Sequence, residues 1–353
     1  MKIFLLGFAF ILTTKSQAFT LVISNPQYTG AGVAIKSQLD TLATGIQDTF
    51  NSSVASTNNQ KNFLTSVSNA NADAHSGYIA PGVIPANSRW FVNVGGSMSL
   101  ALGSGSSLSS GIKFPSNQLP PIGVAAQTGI TAGVSTRYIQ PLFNLDPSRT
   151  LYTMSFSTMD LSGIGKGVSL KMTQASLGVM YQLYNPISWT PLFRYNGIQL
   201  ASGISYSTFL ASYSTPFNLV QTDSSTGAQM SWTNNVDIGV TSSVVSLTNQ
   251  ATTGIRALAV LNLYTGLGLD LNFGSSSITG GSNGTLTGSL NGSSVYTSTT
   301  TVSGNGESAG PTPVTLRYLL GTEFDVGVIG VYIQGHVSTA AAYGLNAGAH
   351  IAF

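Results

Sequence analysis

The sequence predicts an all-β fold: an antiparallel transmembrane β-barrel of about ten strands (eight to twelve), preceded by a helical segment. Three observations predict it. Apolar and small polar residues alternate with a period of two through many segments. Charged residues make up only 7% of the 353. Past residue 18, no apolar run reaches the roughly 18 residues that a membrane-spanning helix needs. The best helical candidate, 255–273, is interrupted by Arg256, Asn262, Asp270 and several glycines.

The scarcity of charge decides what surrounds the molecule. Soluble domains carry about 25% charged residues, so a water-exposed globule of this composition would lack solubilising surface, and lipid is the simplest alternative. The chain has no cysteine, so neither a disulfide framework nor a lipid-bearing cysteine stabilises it. It opens with Met1-Lys2, an apolar run from Ile3 to Leu12, and the small-residue pattern Ser16-Gln17-Ala18. That is the layout of a secretory signal cleaved after Ala18, so residues 1–18 are expected to be removed. Losing Lys2 and Lys15 with the signal leaves 11 basic against 11 acidic residues. A neutral balance implies no nucleic-acid partner.

Residues 19–88 read differently from the rest. Ile35, Leu39, Leu42, Ile46 and Phe50 recur at spacings of three and four, and Phe63, Leu64 and Val67 continue a weaker stripe. This predicts an amphipathic helix or helical hairpin. Such a stripe can pair with other copies in an oligomer, plug the barrel mouth, or pack within its own chain. Pro81 and Pro85 mark a linker into the first strand.

The barrel is expected over 89–353. In 90–102, Trp90, Val92, Val94, Met98 and Leu100 share one face while Asn93, Ser97 and Ser99 share the other. Strands are predicted near 89–102, 120–136, 149–161, 167–183, 197–213, 227–241, 264–274, 312–325, 328–338 and 342–353. An even count puts both ends of the barrel in the periplasm. The polar faces carry Ser, Thr, Gly and Asn rather than the Lys and Glu of a soluble sandwich. The Ser/Thr/Gly/Asn-rich stretch 274–311 is expected to be a long extracellular loop, although Asn291-Gly292 between 285–290 and 295–302 also allows a hairpin.

Charged residues on the polar faces are candidate lumen residues: Arg137, Asp237, Arg317, Glu323 and His336. A two-residue turn at Val326-Gly327 would pair Asp325 with Val328 and Arg317 with His336. The same register sets Glu323 opposite Gly330, roughly 20 Å along the strand from His336 at strand rise. Glu323, His336 and Ser338 are therefore too far apart for a catalytic triad. No catalytic residue is assigned, and no enzyme activity is expected. No cofactor is implied. His75, His336 and His350 lie outside ligand spacing with one another, so no metal site is expected.

Tyr343, Leu345, Ala347, Ala349, Ile351 and the terminal Phe353 fall on one face of a last strand. This resembles the C-terminal signature of bacterial outer-membrane β-barrels. The resemblance implies that Tyr343, Leu345, Ile351 and Phe353 are read by the barrel-assembly machinery. With the signal layout, the helical segment and about ten strands, the chain is similar to porin-like outer-membrane proteins. The segment from Tyr264 to Gly274 (Tyr-Thr-Gly-Leu-Gly-Leu-Asp-Leu-Asn-Phe-Gly), together with the helical stretch, also resembles the PopA-type proteins of predatory bacteria. That resemblance implies an oligomeric barrel that encloses lipid. The expected function is a structural, passive-pore or lipid-organising barrel acting as a homo-oligomer in outer-membrane lipid. The alternatives are a surface adhesin acting through the long Ser/Thr/Gly-rich loop and a soluble, secreted fibrous adhesin.

Overall fold

The structure, a computed structural model, describes residues 20–55, 60–74, 82–83, 88–103, 122–138, 145–162 and 168–353. The expected signal segment, the prolines of the linker and His75 lie outside the described residues. Among the described residues thirteen strands and two α-helices follow in order: β1 (Thr20–Tyr28), α1 (Lys36–Ala55), α2 (Gln60–Ala74), β2 (Trp90–Leu102), β3 (Ile122–Ser135), β4 (Thr150–Asp160) and β5 (Val168–Tyr184). They continue with β6 (Ile187–Ser188), β7 (Phe193–Thr222), β8 (Ala228–Ala257), β9 (Leu261–Leu290), β10 (Ser293–Ala309), β11 (Val314–Val326), β12 (Ile329–Ser338) and β13 (Ala342–Ala352).

Ten of these strands close a ring: β2, β3, β4, β5, β7, β8, β9, β11, β12 and β13 are each paired antiparallel to two neighbours within it. Closure leaves the barrel wall without an unpaired edge, which is the condition for crossing hydrocarbon with strands. Side chains sort as the period-two pattern requires. Met154, Phe156, Leu267, Leu316 and Leu345 point out and are exposed, while Gln127, Ser155, Gln174, Asn272 and Asn346 point in and are buried. The protein is thus inside out relative to a soluble domain, a transmembrane β-barrel. Among the described residues no helix is long and apolar enough to cross a membrane.

Three strands are about twice as long as the wall needs. β7, β8 and β9 each run for 30 residues. Their distal parts run on past the barrel wall and, with β10 and β1, extend the same sheet into what we call the head. The wall's opposite end, where Trp90 and Phe353 lie, is the base. The stretch 274–311 is therefore not a loop. It is the distal half of β9, a tight turn and β10, with Ser293 paired to Leu290. Asn291 (φ 49°) and Gly292 (φ 81°) supply the two left-handed residues that such a turn demands. Composition misled here because Ser and Thr at alternate positions build a sheet as readily as they dissolve a loop.

Residues 242–257, unassigned from sequence, are the barrel half of β8. Their outward row mixes Val245 and Leu247 with Asn249 and Thr253, which blurs the alternation. The β11–β12 hairpin turns at Gly327-Val328 rather than Val326-Gly327, pairing Val326 with Ile329. Gly327 adopts φ 64°, which the β-branched Val326 would resist. Arg317 consequently faces Ser338, His336 faces Leu319, and Glu323 faces Tyr332. The slip is two residues, so each side chain keeps its predicted face.

The predicted stripe of α1 packs against the head. Leu39, Leu42, Ile46 and Phe50 are buried against Leu21, Met230, Trp232, Leu286 and Tyr296, with Ile35 at the margin. Phe50 meets Trp232 edge-on at 5.3 Å. Each such side chain contributes about 1.5–3 kcal/mol by burial. The stripe packs within its own chain, on the head rather than in the lumen. Asn51 secures the edge strand by accepting the Leu21 N–H at 3.0 Å. Tyr28 donates to Asp40, and both burial and that carboxylate raise the phenol's pKa.

Candidate functional site: a lumen filled by its own helix

The feature that governs what the barrel can do is α2, which lies inside it. Leu64 and every residue from Ser66 to Ala74 are buried, although half of them are Ser, Asn or Asp. A helix this polar is buried all round only where its surroundings are polar, and the barrel interior is lined by Ser, Thr, Asn and Gln. Ser68 bonds Ser276 at 2.6 Å, and Asn71 donates to Ser242 at 3.2 Å. Asn69 accepts the Thr312 N–H at 2.7 Å, and Ser97 donates to the carbonyl of Ala74. Gly123 lets the helix approach the wall, since a Cβ there would stand 2.1 Å from the Ser66 carbonyl oxygen.

The helix ends on a charged cluster. Asp73 Oδ2 lies 2.7 Å from His336 Nε2 and accepts from the Ser99 hydroxyl at 2.7 Å. His336 and Ser99 thus bracket the Asp73 carboxylate. Arg317, fully buried, is 3.3 Å from Asp270 on β9. Both large side chains lie over glycines of the adjacent strands: Arg317 over Gly268 and His336 over Gly344.

Of the five expected lumen residues, Arg317, Glu323 and His336 are buried inside the barrel. Two are not there. Arg137 lies past the end of β3, in an exposed turn at the base, because the strand stops at Ser135. Asp237 is exposed on the head portion of β8, paired with Gly281, beyond the rim of the barrel. Sequence reasoning missed Asp73, Asp270, Asp325 and His350. The first had no signal, since nothing in a polar helix announces that it sits in a polar lumen. Asp270 and His350 alternate with outward Leu269, Leu271 and Ile351, so the period-two rule already pointed them inward.

Tyr343, Leu345 and Ile351 share the outward face of β13, and Phe353, just past its end, packs on Trp90 with ring centroids 4.4 Å apart.

Residues 17–353 match the model of a family described as Lsa36-like. The chain belongs to the Lsa36-like family. This Lsa36-like chain matches no curated protein. Among solved structures it is similar to the outer membrane protease OmpT from Escherichia coli, at 12% identity and a TM-score of 0.36, over 75% of this chain and 96% of that one. It is also similar to Ail, the attachment invasion locus protein of Yersinia pestis, at 12% identity and a TM-score of 0.24, over 75% and 97%. A third is the translocator domain of the autotransporter NalP from Neisseria meningitidis, at 12% identity and a TM-score of 0.26, over 75% and 88%. The PopA-type resemblance gains no support from the family match.

Proposed function

We propose that this chain is an outer-membrane barrel that carries a β-rich head on the cell surface as a docking platform, with its lumen shut by α2. The observation that carries this reading is the burial of α2 inside the ring. A passive pore would need that helix to leave, breaking its bonds to Ser242, Ser276, Thr312 and His336.

The orientation follows from the connections. Short turns join β8 to β9 and β11 to β12 at the base, while the 30-residue strands project from the other end. Outer-membrane barrels put short turns in the periplasm and long excursions outside, so the head faces the exterior. One face of the head is sealed by α1. The other carries Thr285, Thr287, Thr297, Thr299, Thr301, Ser231 and Thr233 in adjacent rows. A hydroxyl-rich sheet whose exposed rows also carry Asp237 suits a polar partner surface, so an adhesin role resides in an ordered sheet rather than a flexible loop.

β1 and α1 lie in the head, α2 lies in the lumen, and the wall begins at the base with β2. The head, the plug and the barrel are thus one threaded unit. The test has two arms. In planar bilayers the intact protein should show no steady conductance, whereas deletion of residues 20–74 should open a channel. On intact cells, a protease site inserted at Asn291-Gly292 should be cut from outside. Steady current through the intact protein, or protection of the inserted site, would overturn the proposal.

A further inference from the structure

At the base of the lumen, away from the Asp73 cluster, two carboxylates and an imidazole converge. Glu323 and Asp325 on β11 and His350 on β13 each place one ligand-competent atom within 4.8 Å of the others. From this geometry we infer that the three residues form a binding site for one divalent transition-metal cation of the zinc class.

The strand register builds the site. Asp325 pairs with Gly330 on β12, and Gly330 pairs with His350 on β13. The two ligands are two strands apart and meet across a residue that has no side chain. A Cβ at Gly330 would stand 2.6 Å from Asp325 Oδ1 and 2.6 Å from His350 Nε2. It would fill the space between the donor atoms.

Hydrogen bonding leaves one oxygen of each carboxylate available. Glu323 Oε2 accepts the Val83 N–H at 2.6 Å, and Asp325 Oδ2 accepts from Asn262 Nδ2. Glu323 Oε1 has no hydrogen-bond partner, although the side chain is wholly buried, and it lies 3.9 Å from His350 Nε2. A buried carboxylate oxygen without a donor is costly. Two carboxylates share this space with a single arginine, Arg256, whose Nη2 is 4.0 Å from Asp325 Oδ2. A cation bound between them would pair with both carboxylates.

The donor set selects the class of metal. Imidazole nitrogen with two carboxylates suits zinc and its neighbours better than magnesium or calcium, which prefer all-oxygen shells. Tetrahedral ligands at about 2.1 Å from zinc sit about 3.4 Å apart, so side-chain rotations of roughly an ångström complete the shell. Three protein ligands leave a fourth position for water. Asn262 and the Val83 amide then act as outer donors that orient the carboxylates. Asp325, 14% exposed, is the route by which the ion reaches the site.

The experiment uses the full mature chain, folded in detergent without a histidine tag, stripped with EDTA and titrated with Zn2+ by calorimetry. One Zn2+ per chain is expected, and Co2+ in its place should show the visible absorption of a four-coordinate site. E323Q, D325N and H350N should each weaken Zn2+ binding at least about tenfold, and G330A should do so without removing any ligand. Folding of each variant is checked by heat-dependent gel migration, and E323Q and D325N preserve side-chain size. Absence of saturable binding, or binding that all four substitutions leave unchanged, would overturn the assignment.

Discussion

Replacing Asp73 with alanine tests the claim that α2 is a docked plug. Asp73 Oδ2 is the acceptor for both His336 and Ser99, and the His336 side chain is fully buried. Removing the carboxylate from this buried, hydrogen-bonded pair costs about 3–5 kcal/mol, because the partners are left unsatisfied where water cannot replace the lost group. At 1.4 kcal/mol per decade, that shifts the docked-to-undocked ratio by roughly two to three and a half orders of magnitude. Asp73→Asn keeps an acceptor for Ser99 and loses only the charge-assisted part, about 1 kcal/mol. Hydrogen exchange over residues 60–74 reads the docking equilibrium directly. D73A should lower protection of that segment by the predicted factor, D73N by less than tenfold, and brief channel openings should rise in the same order. If D73A folds and the exchange of 60–74 stays at the wild-type level, the helix is not held by this cluster and the reasoning fails.

Gly123→Val should also release α2, because its Cβ would lie 2.1 Å from the Ser66 carbonyl oxygen; conductance in bilayers should rise, and unchanged insulation would contradict the packing described. Trp232→Ala should cost about 3–5 kcal/mol but only in the head, where the indole meets Phe50 and donates to Thr300 at 2.9 Å; limited proteolysis should cut the head while the barrel keeps its heat-resistant migration. Phe353→Ala removes the ring that packs on Trp90 at the last strand; slower insertion by the assembly machinery is expected, measured as periplasmic accumulation of unfolded chain.

The wall was legible because hydrocarbon on one side and a polar interior on the other force a period of two on every strand. That single rule placed Trp90, Met154, Leu267 and Ile351 outside and Arg317, Glu323 and His336 inside. It failed where a different environment took over. In the head the buried row faces a helix rather than lipid, and Ser231, Thr285 and Thr299 face water, so composition there looked like a loop. It failed again for α2, whose burial in a polar cavity leaves no apolar stripe to detect. The stripe that did stand out, Leu39 to Phe50, belongs to the helix that packs on an apolar surface. Register needed one more fact, the positive φ at Gly327. Without it the pairings slid by two residues, and Asp325 was not seen to reach His350 across Gly330.

The same inversion connects the lumen to its charged sites. A polar interior cannot gain stability from apolar burial, so whatever fills it must be held by hydrogen bonds and ion pairs whose worth depends on complete partnering. Around α2 the carboxylates meet that condition, since Asp73 has two donors and Asp270 has the Arg317 guanidinium, although Asn71 Oδ1 and Arg317 Nη1 lack hydrogen-bond partners. At the base it is not met by protein atoms, since Glu323 Oε1 lacks a donor and Arg256 reaches only Asp325. Both groups lie on β11, six residues apart, in a wall built by one rule. What sets the base apart is that the unpartnered atom belongs to a carboxylate, for which a cation is a fitting partner. A cation there would also fix Glu323, whose other oxygen holds the Val83 amide of the segment leading from plug to wall. Occupancy of the base site should thus stabilise the plugged state, and hydrogen exchange of α2 should slow when Zn2+ is added to wild type but not to H350N.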